Sequence, residues 1–144
     1  MLNRLRQHHL AISTLLIALE ELCQDQQPDM AKLNVVRREL TRASRARSAY
    51  LNATIYPQLM HSCPPDKRMA LEKLKSEGLI MLVRSGDHIR HWTPRQIQAD
   101  WRGYCRASAT ARADMRARID REAQLLYPLL KQHAPAHRAE SGAI

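Results

Sequence analysis

The chain has 144 residues, 44% of them hydrophobic, which supports one domain with a sizeable core and leaves too little material for two. It contains no Phe and four Gly, and this composition favours helices over sheets, which depend on aromatic and β-branched residues. The net charge of +9 admits an acidic partner, while no stretch reaches the roughly 20 apolar residues of a membrane span. We therefore expect an all-α protein, and the odd number of widely spaced cysteines favours the reducing cytoplasm.

The first predicted helix covers about residues 2–24 and carries a seven-residue hydrophobic repeat. The second begins near Asp29, a suitable N-cap, and runs to about His61. Pro57 lies inside this second segment, and its ring predicts a kink or an end to the regular part of the helix. Both segments should bury one face in a helical bundle.

The third predicted helix follows the break at Pro64 and Pro65 and should end at Gly86, with residues 87–92 as a short connector. Its sequence predicts a row of inward-facing apolar residues, which consists of Met69, Leu71, Leu74, Met81 and Leu82. This helix would supply a third wall of the bundle.

The fourth predicted helix starts at Thr93, an N-cap followed by a first-turn proline, and extends to about His133. One of its rows alternates spacings of four and three residues without interruption, and it consists of Ile97, Trp101, Tyr104, Ser108, Ala111, Met115, Arg118, Glu122, Leu125 and Leu129. Two charged residues therefore fall on the buried stripe. The four segments predict an up-and-down four-helix bundle of residues 1–133 with a flexible C-terminal tail at residues 134–144.

The second and fourth helices end alike, because residues 55–59 and 126–130 both read apolar, Tyr, Pro, one variable residue and Leu. Two helix pairs that each close on Tyr-Pro, together with His8 and His9, resemble the hemerythrin-like HHE cation-binding domain. The resemblance covers nearly the whole chain in helix layout. It implies a bundle with a non-haem di-iron centre for oxygen binding or sensing, with a first-helix ligand at His8 or His9 and a fourth-helix ligand at Glu122.

The remaining ligand positions of the family are altered in this chain. The resemblance places Arg47 and Arg118 where the second and fourth helices would hold histidine, and Leu51 where the second helix would hold a carboxylate. The third-helix histidine position, after Glu77, falls near Gly78. Arginine stays protonated and offers a metal no lone pair. The resemblance thus implies a degenerate member that has lost its di-iron centre.

The same positions predict a polar cluster in the core, which consists of His8, His9, Arg47, Gly78, Arg118 and Glu122. The leading interpretation is a structural network, in which Glu122 pairs with both arginines. A second interpretation is a site for a small polar or anionic ligand, with Gly78 leaving room for it. A third is a retained iron, whose candidate ligands are His8, His9, Glu77 and Glu122.

Arginines also recur along the second and fourth helices, and they are Arg37, Arg38, Arg42, Arg45, Arg102, Arg106, Arg112 and Arg116. Such runs are usually solvated helix faces. Binding of nucleic acid, with the guanidinium groups on its phosphates, is the alternative function that ranks second. No nucleophile–base pair or phosphate loop points to an enzyme. The leading hypothesis is a non-enzymatic, hemerythrin-like binding or sensor module, and a homodimer through an exposed apolar strip stays open.

Three cysteines, odd in number and widely spaced, argue against a disulfide framework or a zinc site. Cys23 and Cys105 lie near apolar rows, which predicts buried and inert thiols. Cys63, in the loop before Pro64, is the one cysteine for which the sequence predicts reactivity.

Overall fold

The computed structural model describes the backbone of residues 1–142 and the side chains of residues 1–133. Every regular element in that part of the chain is helical, which confirms the all-α prediction. In chain order the elements are α1 (Leu2–Leu22), α2 (Met30–Tyr50), a π-helical segment (Leu51–Ile55), α3 (Tyr56–Ser62), α4 (Pro65–His91), α5 (Pro94–Ala99) and α6 (Trp101–Gly142). Within the described residues, no helix combines the length and hydrophobicity that crossing a bilayer requires.

Two predicted helix starts carry side-chain caps. The Asp29 carboxylate accepts a hydrogen bond of 3.2 Å from the backbone N–H of Lys32, and the Thr93 hydroxyl accepts one of 3.2 Å from the N–H of Gln96. Each cap satisfies one of the backbone donors that the first turn of a helix leaves without a partner. The starts of α2 and α5 were therefore predicted correctly from the sequence.

The π-helical segment explains how the chain accommodates Pro57 without a break. A proline inside an α-helix lacks the N–H donor, and its ring clashes with the carbonyl one turn earlier. Here Pro57 lies in the first turn of α3, directly after a wider turn over Leu51–Ile55. A π-helical turn changes the bonding pattern locally, so the helical path continues past the ring.

Helix α4 departs from the prediction at its C-terminal end. It runs through Gly86 to His91, so the predicted stop at Gly86 and the connector at residues 87–92 are wrong. Glycine inside a helix costs only about 1 kcal/mol, whereas a glycine stop usually adopts a left-handed conformation. No described residue has a positive φ angle.

The inward row predicted for α4 is only partly correct. Leu71 and Leu74 are buried, but Met69 and Leu82 are exposed, which contradicts the prediction for those two. Three apolar residues beside Leu82 are also exposed, namely Leu79, Ile80 and Val83. With Leu82 they form an apolar strip of the kind through which a homodimer was predicted, and the dimer itself stays a prediction.

The fourth predicted helix is divided at Asp100. This residue has a non-helical backbone, with φ −145° and ψ 71°, and its carboxylate accepts a 3.0 Å hydrogen bond from the N–H of Gly103. Aspartate competes with the helical backbone through such local bonds and favours helix starts. The prediction of one uninterrupted helix from Thr93 was therefore wrong, because α5 and α6 are separate helices.

The C-terminal end of α6 lies beyond the predicted one. The described backbone is helical as far as Gly142, past the expected end near His133. Side chains from residue 134 onward and the backbone of residues 143–144 lie outside the described part of the chain. The C-terminal tail at residues 134–144 stays a prediction.

Buried apolar side chains form three clusters that hold the helices together. The distal cluster contains Leu5, Leu51, Ile55, Tyr56, Leu59, Leu71, Leu74, Leu126, Leu129 and Leu130. The middle cluster contains Ile12, Leu16 and Ile119. The tryptophan cluster contains Leu19, Leu33, Trp92, Ile97, Trp101 and Tyr104. Helix α1 packs along α2 and α6, and α4 packs against α3 and α6, so residues between the distal and middle clusters are enclosed by several helices.

Candidate functional site: a buried Arg-Glu-His cluster

Glu122 is the centre of a charged layer between the distal and middle clusters. Its carboxylate is fully buried. The His9 Nε2 atom lies 2.8 Å from Glu122 Oε1, and Arg118 Nε donates to Oε2 over 2.7 Å. Arg47 Nε lies 3.8 Å from Oε1. Helices α1, α2 and α6 therefore each send one polar side chain to the same carboxylate, and we name His9, Arg47, Arg118 and Glu122 the core cluster.

Arg118 ties the cluster to two further helices. It precedes Glu122 by one helical turn, a spacing that places both side chains on the same face of α6. Its Nη1 donates to the Leu74 carbonyl oxygen of α4 over 2.7 Å, and its Nη2 donates to the Tyr56 hydroxyl over 3.2 Å. A planar guanidinium can serve three acceptors in three directions at once, so this one side chain joins α3, α4 and α6.

His9 connects the carboxylate to a second tyrosine. Glu122 as a carboxylate can only accept hydrogen bonds, so His9 Nε2 must donate to it. The other ring nitrogen, Nδ1, lies 2.6 Å from the Tyr127 hydroxyl and forms a hydrogen bond with it. The imidazole is held in one orientation by a partner on each side.

The environment of Glu122 stabilises its charged form. Desolvation by itself raises the pKa of this carboxyl, but the hydrogen bond from His9 and the nearby Arg47 and Arg118 charges outweigh that effect, so the net pKa is lowered. Glu122 is therefore ionised at neutral pH although it is buried.

Arg47 is the least well paired member of the core cluster. Its side chain is buried, its Nη1 donates to the Met115 thioether sulfur over 3.0 Å, and its Nε has no hydrogen-bond partner among the described atoms. Thioether sulfur is a weak acceptor. Desolvation lowers the pKa of the Arg47 guanidinium, and the Glu122 charge offsets part of this effect. Two guanidinium groups thus share one carboxylate, which leaves an excess of positive charge in the core.

Gly78 lies against Arg118 and does not leave an open space, contrary to the sequence-based interpretation. A Cβ atom placed on Gly78 would lie 2.7 Å from Arg118 Nη2. The carbonyl that Arg118 bonds belongs to Leu74, one turn before Gly78 on the same face of α4. The missing side chain therefore exposes a backbone acceptor to the guanidinium, and the guanidinium occupies the space.

Replacing Gly78 by alanine should destabilise the protein, with a net loss of about 1 kcal/mol in the free energy of unfolding. Overpacking a buried contact costs about 1–3 kcal/mol, which exceeds the gain of about 0.5–1 kcal/mol from removing a helical glycine. Arg118 cannot move aside freely, because three acceptors hold it. Urea unfolding followed by circular dichroism measures the change.

Gly86 provides the matched control for this prediction, since it lies on the same helix. A Cβ atom there would lie 3.2 Å from Arg90 Nη1, and the Arg90 side chain is largely exposed and can move. Gly86→Ala should therefore stabilise the protein by about 0.5–1 kcal/mol. Stabilisation by both substitutions would show that Arg118 is not fixed against α4.

Two other candidate residues lie apart from the core cluster. The His8 ring packs against Tyr50, with 5.4 Å between the ring centroids, and Glu77 forms an ion pair of 3.3 Å with Arg121. Among the described side chains, no group of three or more His, Cys, Asp or Glu is arranged to hold a metal ion. The core cluster itself carries two guanidinium groups, which a di-iron centre would not tolerate. These residues do not fit the family's metal centre.

Two tyrosines that were not predicted as site residues form hydrogen bonds with the core cluster. Tyr56 and Tyr127 are the tyrosines of the two Tyr-Pro endings, and each contributes its hydroxyl to the charged layer. Arg47 stands nine residues before Tyr56, and Arg118 stands nine residues before Tyr127. The same spacing between an arginine and a tyrosine therefore occurs in both halves of the repeat. This spacing was the sequence signal that could have identified the two tyrosines as site residues.

The arginine runs of α2 and α6 do not form two uniformly exposed faces. Arg37 donates to the Trp92 carbonyl oxygen over 2.6 Å, and the buried Arg112 donates to the Ser108 hydroxyl over 2.6 Å. Arg116 pairs with Glu20 over 2.8 Å. The exposed members are Arg38, Arg42, Arg45, Arg102 and Arg106. Binding of nucleic acid through these five stays a prediction.

No family model, curated protein or solved structure that was compared with the chain matches it.

Proposed function

We propose that this protein is a non-enzymatic binding module of the cytoplasm, built as a hemerythrin-like up-and-down four-helix bundle, and that its ligand is a small anion. The convergence of the family's ligand positions supports the hemerythrin-like origin. Of the positions that the resemblance assigned to ligands, positions 9, 47, 78, 118 and 122 lie around one carboxylate or its arginine partner. Position 51 and the alternative first-helix position 8 do not, because Leu51 lies in the distal cluster and His8 packs against Tyr50. In this proposal arginines have replaced the metal as the positive charge of the site.

The observation that carries the anion proposal is the charge imbalance at Arg47. This guanidinium is buried, its Nε has no acceptor among the described residues, and the carboxylate it approaches is already bonded by His9 and Arg118. Arg47 shares the Glu122 carboxylate with Arg118 at a distance of 3.8 Å, and an anion beside Arg47 would offset the excess positive charge of this buried layer. Guanidinium groups bind oxyanions through directed pairs of N–H donors.

The packing around the cluster limits the size of such a ligand. The space beside Gly78 is filled by Arg118, and the middle cluster encloses the Arg47 side of the layer through Met115. Formate and nitrite are the smallest oxyanions with the matching geometry, and they are therefore the probes of choice. A bulky anion such as gluconate should not enter.

Thermal unfolding in sodium formate, at an ionic strength held constant with sodium gluconate, tests the proposal. A saturable rise in Tm is expected, because a ligand at about 100 times its Kd stabilises a protein by about 2.7 kcal/mol, or about 5–10 °C for a domain of this size. Arg47→Met should abolish the formate-dependent part of the rise. The matched control is Arg45→Met, which removes an exposed arginine from the same helix and should leave the rise intact.

Three outcomes would count against the proposal. An equal response to formate in Arg45→Met and Arg47→Met would indicate general screening of a chain with net charge +9. No response in the unsubstituted protein would leave the core cluster as a purely structural network. Stoichiometric iron in the purified protein would instead favour a metal-binding module for oxygen sensing.

A further inference from the structure

Helix α4 exposes an apolar surface on the side that faces away from the rest of the bundle. Its buried residues Leu71 and Leu74 belong to the distal cluster, and the helix packs against α3 and α6. The members of the apolar strip are each 58–61% exposed, and they are Leu79, Ile80, Leu82 and Val83. Adjacent exposed apolar residues mark interaction sites, whereas isolated ones do not. The strip is therefore a candidate contact surface.

The outward side of α4 carries a longer pattern that includes this strip. Its positions alternate spacings of four and three residues, and they are Glu72, Ser76, Leu79, Val83, Gly86 and Arg90. We name these six positions the outer seam. Five of them are exposed and Gly86 is half-buried. This spacing is that of the contact line between two helices of a coiled coil, so α4 can contact its own bundle on one side and a further helix on the other.

The outer seam is complementary to itself when a second copy of α4 lies antiparallel to it. In a two-fold pair each contact occurs twice, once from each copy. If the two-fold axis passes at the height of Met81, Leu79 faces Val83 of the second copy, since both are two residues from the centre. Glu72 and Arg90 are both nine residues from the centre. Opposite charges therefore meet at both ends of an apolar middle.

The charges beside the seam follow the same rule. Lys73 and Asp87 each come one residue after a seam position, so they occupy the same flank, and residues of one flank meet across an antiparallel pair. Both are exposed. Asp87 also contacts Arg90 of its own chain, so Arg90 would be shared between that carboxylate and Glu72 of the second copy. A parallel pair would instead set Glu72 against Glu72 and Arg90 against Arg90, where like charges repel.

We propose that two copies of this protein associate through α4 as a two-fold dimer, with the outer seams antiparallel and the apolar strips in contact. The acidic residues of the surface, Glu72 and Asp87, oppose binding to an anionic bilayer, whereas a second copy pairs both of them. One helix face of about 27 Å length per copy gives an interface at the low end of the usual size range, with a Kd on the order of micromolar. The proposal is independent of anion binding at the core cluster.

Sedimentation velocity of the full chain, at concentrations from about 1 to 300 μM, tests the dimer. The mass should rise from 16.6 kDa toward twice that value. Leu79→Lys should raise the Kd by about 100-fold or more, because the lost contact occurs twice in the dimer. The matched control is Leu10→Lys, which changes a 68% exposed leucine on α1 and should leave the Kd unchanged. Circular dichroism verifies that both variants keep the helical fold.

Charge reversal tests the antiparallel arrangement separately. Glu72→Arg should raise the Kd by about tenfold at low salt, because it sets two arginines against each other at both ends of the interface. The double variant with Arg90→Glu restores opposite charges and should return the Kd to within about threefold of the unsubstituted value. In a parallel dimer residue 72 would face residue 72, so neither variant would change the Kd.

Three results would overturn the proposal. One is a monomer at every concentration of the unsubstituted protein. Another is a dimer that Leu79→Lys leaves intact, which would place the interface elsewhere on the molecule. The third is a dimer that Glu72→Arg weakens but the added Arg90→Glu does not restore, because the two residues would then not face each other.

Discussion

Glu122→Gln is expected to lower the free energy of unfolding by about 3–5 kcal/mol, the range for removing one partner from a buried ion pair. The glutamine keeps the shape of the side chain but removes the carboxylate that, among the described side chains, pairs with both Arg47 and Arg118. Two buried guanidinium groups then lack a counter-charge. Urea unfolding at pH 7, with circular dichroism as the readout, measures the loss.

The control for this substitution is Glu20→Gln, which removes the carboxylate of the half-exposed pair with Arg116. Pairs of that kind contribute about 0–1 kcal/mol. The difference between Glu122→Gln and the unsubstituted protein should also depend on pH. The folded-state pKa of Glu122 is lowered from 4.5, so the stabilisation is complete above pH 4.5 and is lost as the pH falls through the lowered pKa. A loss at pH 7 no larger than that of the control would show that Glu122 does not hold the arginines.

Arg118→Met should destabilise the protein by a comparable amount, about 3–5 kcal/mol, because it leaves the Glu122 charge with a poorer set of donors. It also removes the donor for the Leu74 carbonyl oxygen and for the Tyr56 hydroxyl. Arg118→Lys is the sharper variant, since it keeps the charge but cannot serve three acceptors from one planar group. We expect it to lose about 2 kcal/mol or more.

Arg121→Met is the matched control, because Arg121 lies on the same helix, is half-exposed and pairs with Glu77. Its loss should stay below about 1 kcal/mol. If Arg118→Lys is as stable as the unsubstituted protein, a point charge is sufficient and the joining of α3, α4 and α6 through one guanidinium is refuted. Equal losses for the lysine and methionine variants would mean that geometry contributes more than charge.

The anion proposal and the stability predictions depend on different residues of the core cluster. Arg118, Glu122 and His9 form a layer in which the hydrogen bonds are short and mutually supporting, as a structural network requires. Arg47 is the exception, because its Nε lacks a partner among the described atoms. The anion proposal therefore depends on Arg47, whereas the stability predictions depend on Arg118 and Glu122, and separate variants test them.

Local sequence signals accounted for some features of this fold and failed for others. The caps at Asp29 and Thr93 were predicted because a cap involves residues only three apart. Gly86 was misread as a stop, since a helix tolerates a glycine when its backbone keeps helical angles. The exposed Met69 and Leu82 were misplaced because apolar character does not reveal which face of α4 has a neighbour.

By itself, the sequence determined the helical class and the alternating spacing that put Arg118 and Glu122 on the inward face of α6, because both depend on residues within a turn or two of one another. Only the tertiary structure decided that two tyrosine hydroxyls join the charged layer and that Arg118 fills the space beside Gly78. These contacts join residues far apart in the chain, and helical spacing fixes the direction of a side chain but not the partner that it meets across the core.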